Sequence, residues 1–119
     1  MADIKDIEVR YIPALSDDAI VYVDKIGIID KATGEPVEFT AAEAVLSISE
    51  NERSKLLLSL DNGLVWNDVE KTISVVIRNH QMRFVRADTQ LEYALSVRWT
   101  DSQLAKTLRE GTVTAVRVA

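Results

Sequence analysis

Between residues 91 and 99 every odd position is apolar or aromatic: Leu91, Tyr93, Leu95, Val97 and Trp99, with Glu92, Ala94, Ser96 and Arg98 between them. Successive side chains of a strand point to opposite faces, so this run buries one face and wets the other. Parallel strands covered on both sides read as continuous apolar runs, so the alternation predicts an antiparallel sheet packed on a single core.

The same period recurs along the chain. Ile7, Val9 and Tyr11 alternate with Glu8 and Arg10 in a first strand that ends at Pro13. Residues 19–29 are rich in β-branched side chains and predict a central strand, with a bulge where the alternation slips at Asp24 and Lys25. Asp30, Thr33, Gly34 and Pro36 predict a hairpin-type loop, after which residues 37–39 re-enter the sheet. Thr40 and Glu43 have capping-box spacing and allow one helical turn before Ala44, Leu46 and Ile48 resume the alternation. Residues 50–54 form a charged connection, and Asp61, Asn62 and Gly63 a strong turn. Residues 72–78 make another strand, residues 79–87 break the period, and Gly111 interrupts a closing pair of strands. About seven or eight short strands at turn spacing predict an all-β, antiparallel immunoglobulin-like β-sandwich, with one short helical insertion near 79–87. Residues 1–6 read as a flexible N-terminal arm and 7–119 as a single domain, a length sufficient for a core without staples.

Chemistry is hard to find in this chain. It has no cysteine, which removes disulfides, thiolate metal sites and cysteine nucleophiles together. His80, the only histidine, stands in Asn-His-Gln-Met beside no nucleophile and reads as a solvated loop residue. Asp61, Asn62, Asn67 and Asp68 resemble a calcium loop only in supplying oxygens, since Glu70 falls at the wrong distance for a bidentate twelfth position; they read as turn formers. The four glycines stand too far apart to cradle phosphate. Trp99 belongs to the alternating core face, whereas Trp66 follows a turn and is open to either core or ligand-stacking use. No enzyme and no cofactor is expected.

Charge narrows the partners. The formal net charge is −5, which repels phosphate backbones and disfavours nucleic acid. Residues 1–70 carry 6 basic and 15 acidic groups, whereas residues 71–119 carry 8 basic and 4 acidic. That polarity either drives head-to-tail association of copies or is mixed away when strands interleave. No apolar run reaches the ~20 residues of a spanning helix, and the acidic N-terminus lacks the basic and apolar regions of a signal peptide. Neither a membrane partner nor export by the usual route is expected.

The order of turns and strands carries a resemblance. Asp30-Lys31-Ala32-Thr33-Gly34-Glu35-Pro36-Val37 precedes a strand ending in Leu46-Ser47-Ile48; Leu58-Ser59-Leu60-Asp61-Asn62-Gly63-Leu64 follows. Then come Tyr93-Ala94-Leu95-Ser96-Val97-Arg98-Trp99-Thr100-Asp101 and Leu108-Arg109-Glu110-Gly111-Thr112-Val113. From about residue 20 onward this resembles the small β-sandwich domains of phage tails and baseplates, such as the N-terminal domain of baseplate upper proteins. The resemblance implies a structural protein of a bacteriophage particle, a tail, baseplate, neck or head-decorating subunit. It would be made in the host cytoplasm, located in the virion, and assembled with other virion proteins and copies of itself. The interface residues expected are Ile4 and Ile7 of the arm and Arg83, Phe84 and Arg86 of the insertion. The alternative is a carbohydrate-binding or adhesion module stacking sugars on Trp66 or Tyr22.

Overall fold

A computed structural model describes residues 3–29, 32–38, 40–83 and 89–117. Nine strands form one sheet: β1 (Asp3–Ile4), β2 (Ile7–Tyr11), β3 (Ile20–Gly27), β4 (Ala41–Glu50), β5 (Arg53–Leu60), β6 (Gly63–Asn67), β7 (Thr72–Arg78), β8 (Thr89–Trp99) and β9 (Ala105–Arg117). The order across the sheet is β1, β9, β8, β4, β5, β6, β7, β3, with β2 following β1 along the same edge of β9. The sheet curls almost into a barrel. At the seam, β2 and β3 lie side by side without a hydrogen-bonded ladder between them.

Alternation builds the core as the sequence predicts. Leu91, Tyr93, Leu95, Val97 and Trp99 of β8 are all buried; Ile48, Leu46, Ala44 and Ala41 of β4 stand opposite the last four, and Val113 of β9 stands opposite Leu91. Ile73, Val75 and Ile77 of β7 close the core from across the barrel. The other face of each strand is turned away from this core.

The expected antiparallel sheet is corrected to a mixed one. β1 and β2 run parallel to β9, with Asp3 opposite Arg109 and Val9 opposite Ala115. The period of two in residues 7–11 fixes which side chains point inward but not which neighbour the strand takes or in which direction. The β5–β6 corner is a second departure. Ser59 and Asn62 exchange backbone bonds of 3.1 and 2.9 Å, while Asp61 and Gly63 take φ of 65° and 96°. The turn read from Asp61, Asn62 and Gly63 is therefore present, but β5 and β6 pair parallel beside it, Ser59 opposite Gly63 and Leu60 opposite Leu64, instead of closing an antiparallel hairpin.

Local expectations also shift. Thr40 and Glu43 do not cap a helix; β4 starts at Ala41, and the Thr40 hydroxyl donates to Asp68 across the barrel mouth. The bulge in β3 falls between Ile20 and Tyr22, not at Asp24. Residues 51 and 52 form a two-residue hairpin turn with φ of 50° and 68°, the signature of a type I′ turn. β9 passes through Gly111 unbroken. Of the helical insertion, Asn79–Met82 is a four-residue 3₁₀ turn, and residues 84–88 lie outside the described residues.

The buried Asn79 fastens that turn to the seam. Its side-chain oxygen accepts from the Ile12 amide at 2.9 Å, and its amide nitrogen donates to the carbonyls of Ile12 at 2.8 Å and Leu15 at 3.3 Å. A buried amide satisfied in this way holds the 12–19 connection against the end of the barrel.

Candidate interaction surface

The neighbouring strands β3, β7 and β6 carry apolar side chains on their outer faces as well as their inner ones. In β7, Ile73, Val75 and Ile77 point into the core, leaving Ser74, Val76 and Arg78 outside. The register places Val23 of β3 beside Val76, Val65 of β6 beside Ser74, and Ile20 beside Arg78. Ile20, Val23 and Val65 are 50%, 64% and 55% exposed. Ile20, Val65 and Val76 line a shallow open groove with Asn62, Arg78 and Gln81. Isolated exposed apolar residues need no explanation, but a contiguous set on one sheet face marks a contact surface.

The rim is ionic. Lys25 pairs with Glu70, and the Arg78 guanidinium donates to the Asp18 carbonyl at 2.7 Å. Asp68 accepts from Thr40 at 2.7 Å, from the Trp66 indole at 3.2 Å and from the Lys71 ammonium at 2.8 Å. These donors, Lys71 foremost, pull its carboxyl down to about 2. Asn67 accepts from the amides of Val69 and Glu70, both at 3.0 Å. The side-chain oxygens of Asn67 and Asp68 thus bond the turn and its neighbours. Among the described residues no three His, Cys, Asp or Glu side chains gather to hold a metal.

A polar cluster lies at the seam. Arg109 of β9 reaches Asp24 of β3 at 3.1 Å, with both side chains largely covered, and the Tyr22 hydroxyl donates to the same carboxylate at 3.2 Å. Burial, and then the Asp24 charge, push the Tyr22 phenol up to about 12. With Ile7, Tyr93 and core residues these groups enclose only about 10 Å³, about the space of one water. The cluster ties β9 to β3 across the seam.

Of the five residues expected to form an interface, the described residues include Ile4, Ile7 and Arg83. Ile4 projects from β1, 74% exposed, whereas Ile7 is half-buried and packs on the core. Arg83 pairs with Asp17 beyond the 3₁₀ turn; Phe84 and Arg86 lie outside the described residues. His80 is exposed, its Nδ1 2.9 Å from the Asp17 carbonyl. Trp66 is half-buried, its ring edge-on to Trp99 with centroids 5.7 Å apart, and Tyr22 is half-buried beside Asp24.

Ile20, Val23 and Val65 were not among the residues singled out from the sequence. Their signal was the breakdown of alternation: Ile20-Val21-Tyr22-Val23, Leu64-Val65-Trp66 and Val75-Val76-Ile77 are each continuously apolar. Such runs read as strands covered on both sides, and among the described residues Ile20, Val23 and Val65 stay exposed on the second side. No protein-family model matches the chain, and no curated protein matches its sequence.

Proposed function

We propose that the protein is a non-catalytic structural subunit of a bacteriophage particle, in a tail, baseplate, neck or head-decorating position, acting by contact with other virion proteins and with further copies of itself. The observation that carries this reading is the apolar outer face of β3, β7 and β6. Covering a branched apolar side chain is worth about 1.5–3 kcal/mol, so Ile20, Val23 and Val65 supply the centre of a contact. A stable specific interface buries about 1,200 Å² or more, so the ion-paired rim belongs to the same contact. The resemblance of the turn and strand order to phage tail and baseplate domains supports the particle assignment. In this reading the immunoglobulin-like sandwich consists of two facing layers, β3–β7–β6 and β2–β9–β8–β4–β5, joined at the β5–β6 corner.

Size-exclusion chromatography with light scattering, at low and high salt, tests the contact. The expected result is concentration-dependent association that survives high salt and is lost in the Val23→Glu, Val65→Glu double variant. A strict monomer at high concentration, with no binding to any particle protein, counts against it.

A further inference from the structure

We infer that residues 3–11 are an exchangeable strand, and that the slot they fill beside β9 is the site where one copy receives the N-terminal strand of the next. The inference rests on the assembly reading and names one of its contacts.

Topology makes the segment separable. β1 and β2 take all their ladder partners from β9; they pack beside β3 and the 3₁₀ turn, and residues 12–19 are the tether that leads from them to β3. Without them β9, β8, β4, β5, β6, β7 and β3 still follow one another through their own pairings. The slot, however, cannot stay empty. β2 lies alongside Val113 and Ala115, both buried, and inserts Val9 fully with Ile7 and Tyr11 half-covered. An open slot exposes that apolar wall and the unpaired edge of β9.

The slot is also cut for this segment. A Cβ on Gly111 would overlap the Lys5 carbonyl oxygen and stand 2.8 Å from its carbon, so only glycine admits the chain there. Lys5 donates its amide to the Glu110 carbonyl at 3.0 Å and accepts from the Tyr93 hydroxyl at 2.5 Å; Asp6 accepts from the Thr112 amide at 3.1 Å. These contacts fix the register at the break between β1 and β2. The best occupant is therefore residues 3–11 of this chain, from either the same copy or another.

Every contact in the slot is identical whichever copy supplies the strand. The balance between closed and exchanged forms then depends on the linker and on local concentration. Pro13, Ala14, Leu15 and Ser16 are exposed and make the turn between the segment and the body, with Leu15 donating to the Ile12 carbonyl at 3.0 Å. Opening that turn lets the strand reach a neighbour. Reciprocal exchange closes a dimer; one-way exchange propagates as a ring or a row, the geometry of a repeating particle.

Because the chain has no cysteine, a paired-thiol test is clean. Glu8 and Thr114 are partners across β2 and β9, and both are exposed. Glu8→Cys and Thr114→Cys chains are refolded together at high concentration, oxidised, and resolved on a non-reducing gel with mass spectrometry of the linked peptides. The expected result is a covalent dimer carrying the 8–114 link, absent when either variant is alone and falling in proportion as wild-type chain is added. The double variant on one chain, which closes within itself at low concentration, confirms that the pair can bond. Arg10→Cys with Val116→Cys, the next outward pair on the same ladder, repeats the test. A double variant that closes while the mixture yields no 8–114 or 10–116 link overturns the exchange. If light scattering still shows oligomers in that case, the assembly reading stands and only the strand exchange falls.

Discussion

Gly111→Ala is the sharpest local probe of how the N-terminal segment is held. The new methyl group meets backbone at Lys5, not the far end of a flexible side chain, so residues 4–6 must move away from β9. Three hydrogen bonds are then at stake: Lys5 to Glu110, Tyr93 to Lys5, and Thr112 to Asp6. At about 1 kcal/mol net apiece they total about 3 kcal/mol. Replacing a glycine inside a strand returns about 0.5–1 kcal/mol of chain entropy, leaving a net loss of about 2 kcal/mol. For a domain of this size that corresponds to about 8 °C in the melting temperature. Urea unfolding followed by fluorescence reads the loss, and hydrogen exchange at the amides of Lys5 and Thr112 locates it. A Gly111→Ala protein within about 0.5 kcal/mol of the parent, with those amides still protected, would refute the close approach.

Asn79→Ala strips partners from the Ile12 amide and the Ile12 and Leu15 carbonyls, and should cost about 3 kcal/mol in the same unfolding experiment; a loss below about 1 kcal/mol would mean the 12–19 connection is held by other means. Glu52→Gly relieves a non-glycine residue at φ 68° in a two-residue turn and should raise stability by about 0.5–1 kcal/mol, whereas no change or a loss would argue against a type I′ turn there. The folded state raises the Tyr22 phenol from 10 to about 12, so its contribution is complete below about pH 10 and is lost as pH rises from about 10 to about 12. Unfolding monitored across that range should be steeper in the parent than in Tyr22→Phe; identical alkaline limbs would contradict the buried Tyr22–Asp24 contact.

Legibility in the sequence tracked the physical source of each feature. Facing was legible: the alternation of residues 91–99 assigned five core side chains, and all five are buried. Turn chemistry was legible where a residue type has one job, as at Asp61, Asn62 and Gly63. Partner choice was not. Nothing in Ile7-Glu8-Val9-Arg10-Tyr11 encodes a parallel neighbour about a hundred residues away, because ladder bonds are made by the backbone, which is the same at every position. Gly111 reads from sequence as a break, yet it allows the chain to pass at Lys5, a role visible only once both segments are in place. The apolar outer face was half legible: each unbroken run was visible, but that the three runs lie side by side depends on the sheet order.

The claim that this protein acts by assembly, as part of a particle, is tested most directly by what the particle contains. Quantitative mass spectrometry of gradient-purified virions produced from a genome encoding this chain, washed at high salt, measures it. The expected result is the chain at a fixed ratio to a major tail or head protein, retained through the wash. Virions that lack it, with the chain left free in the lysate, would contradict the assignment.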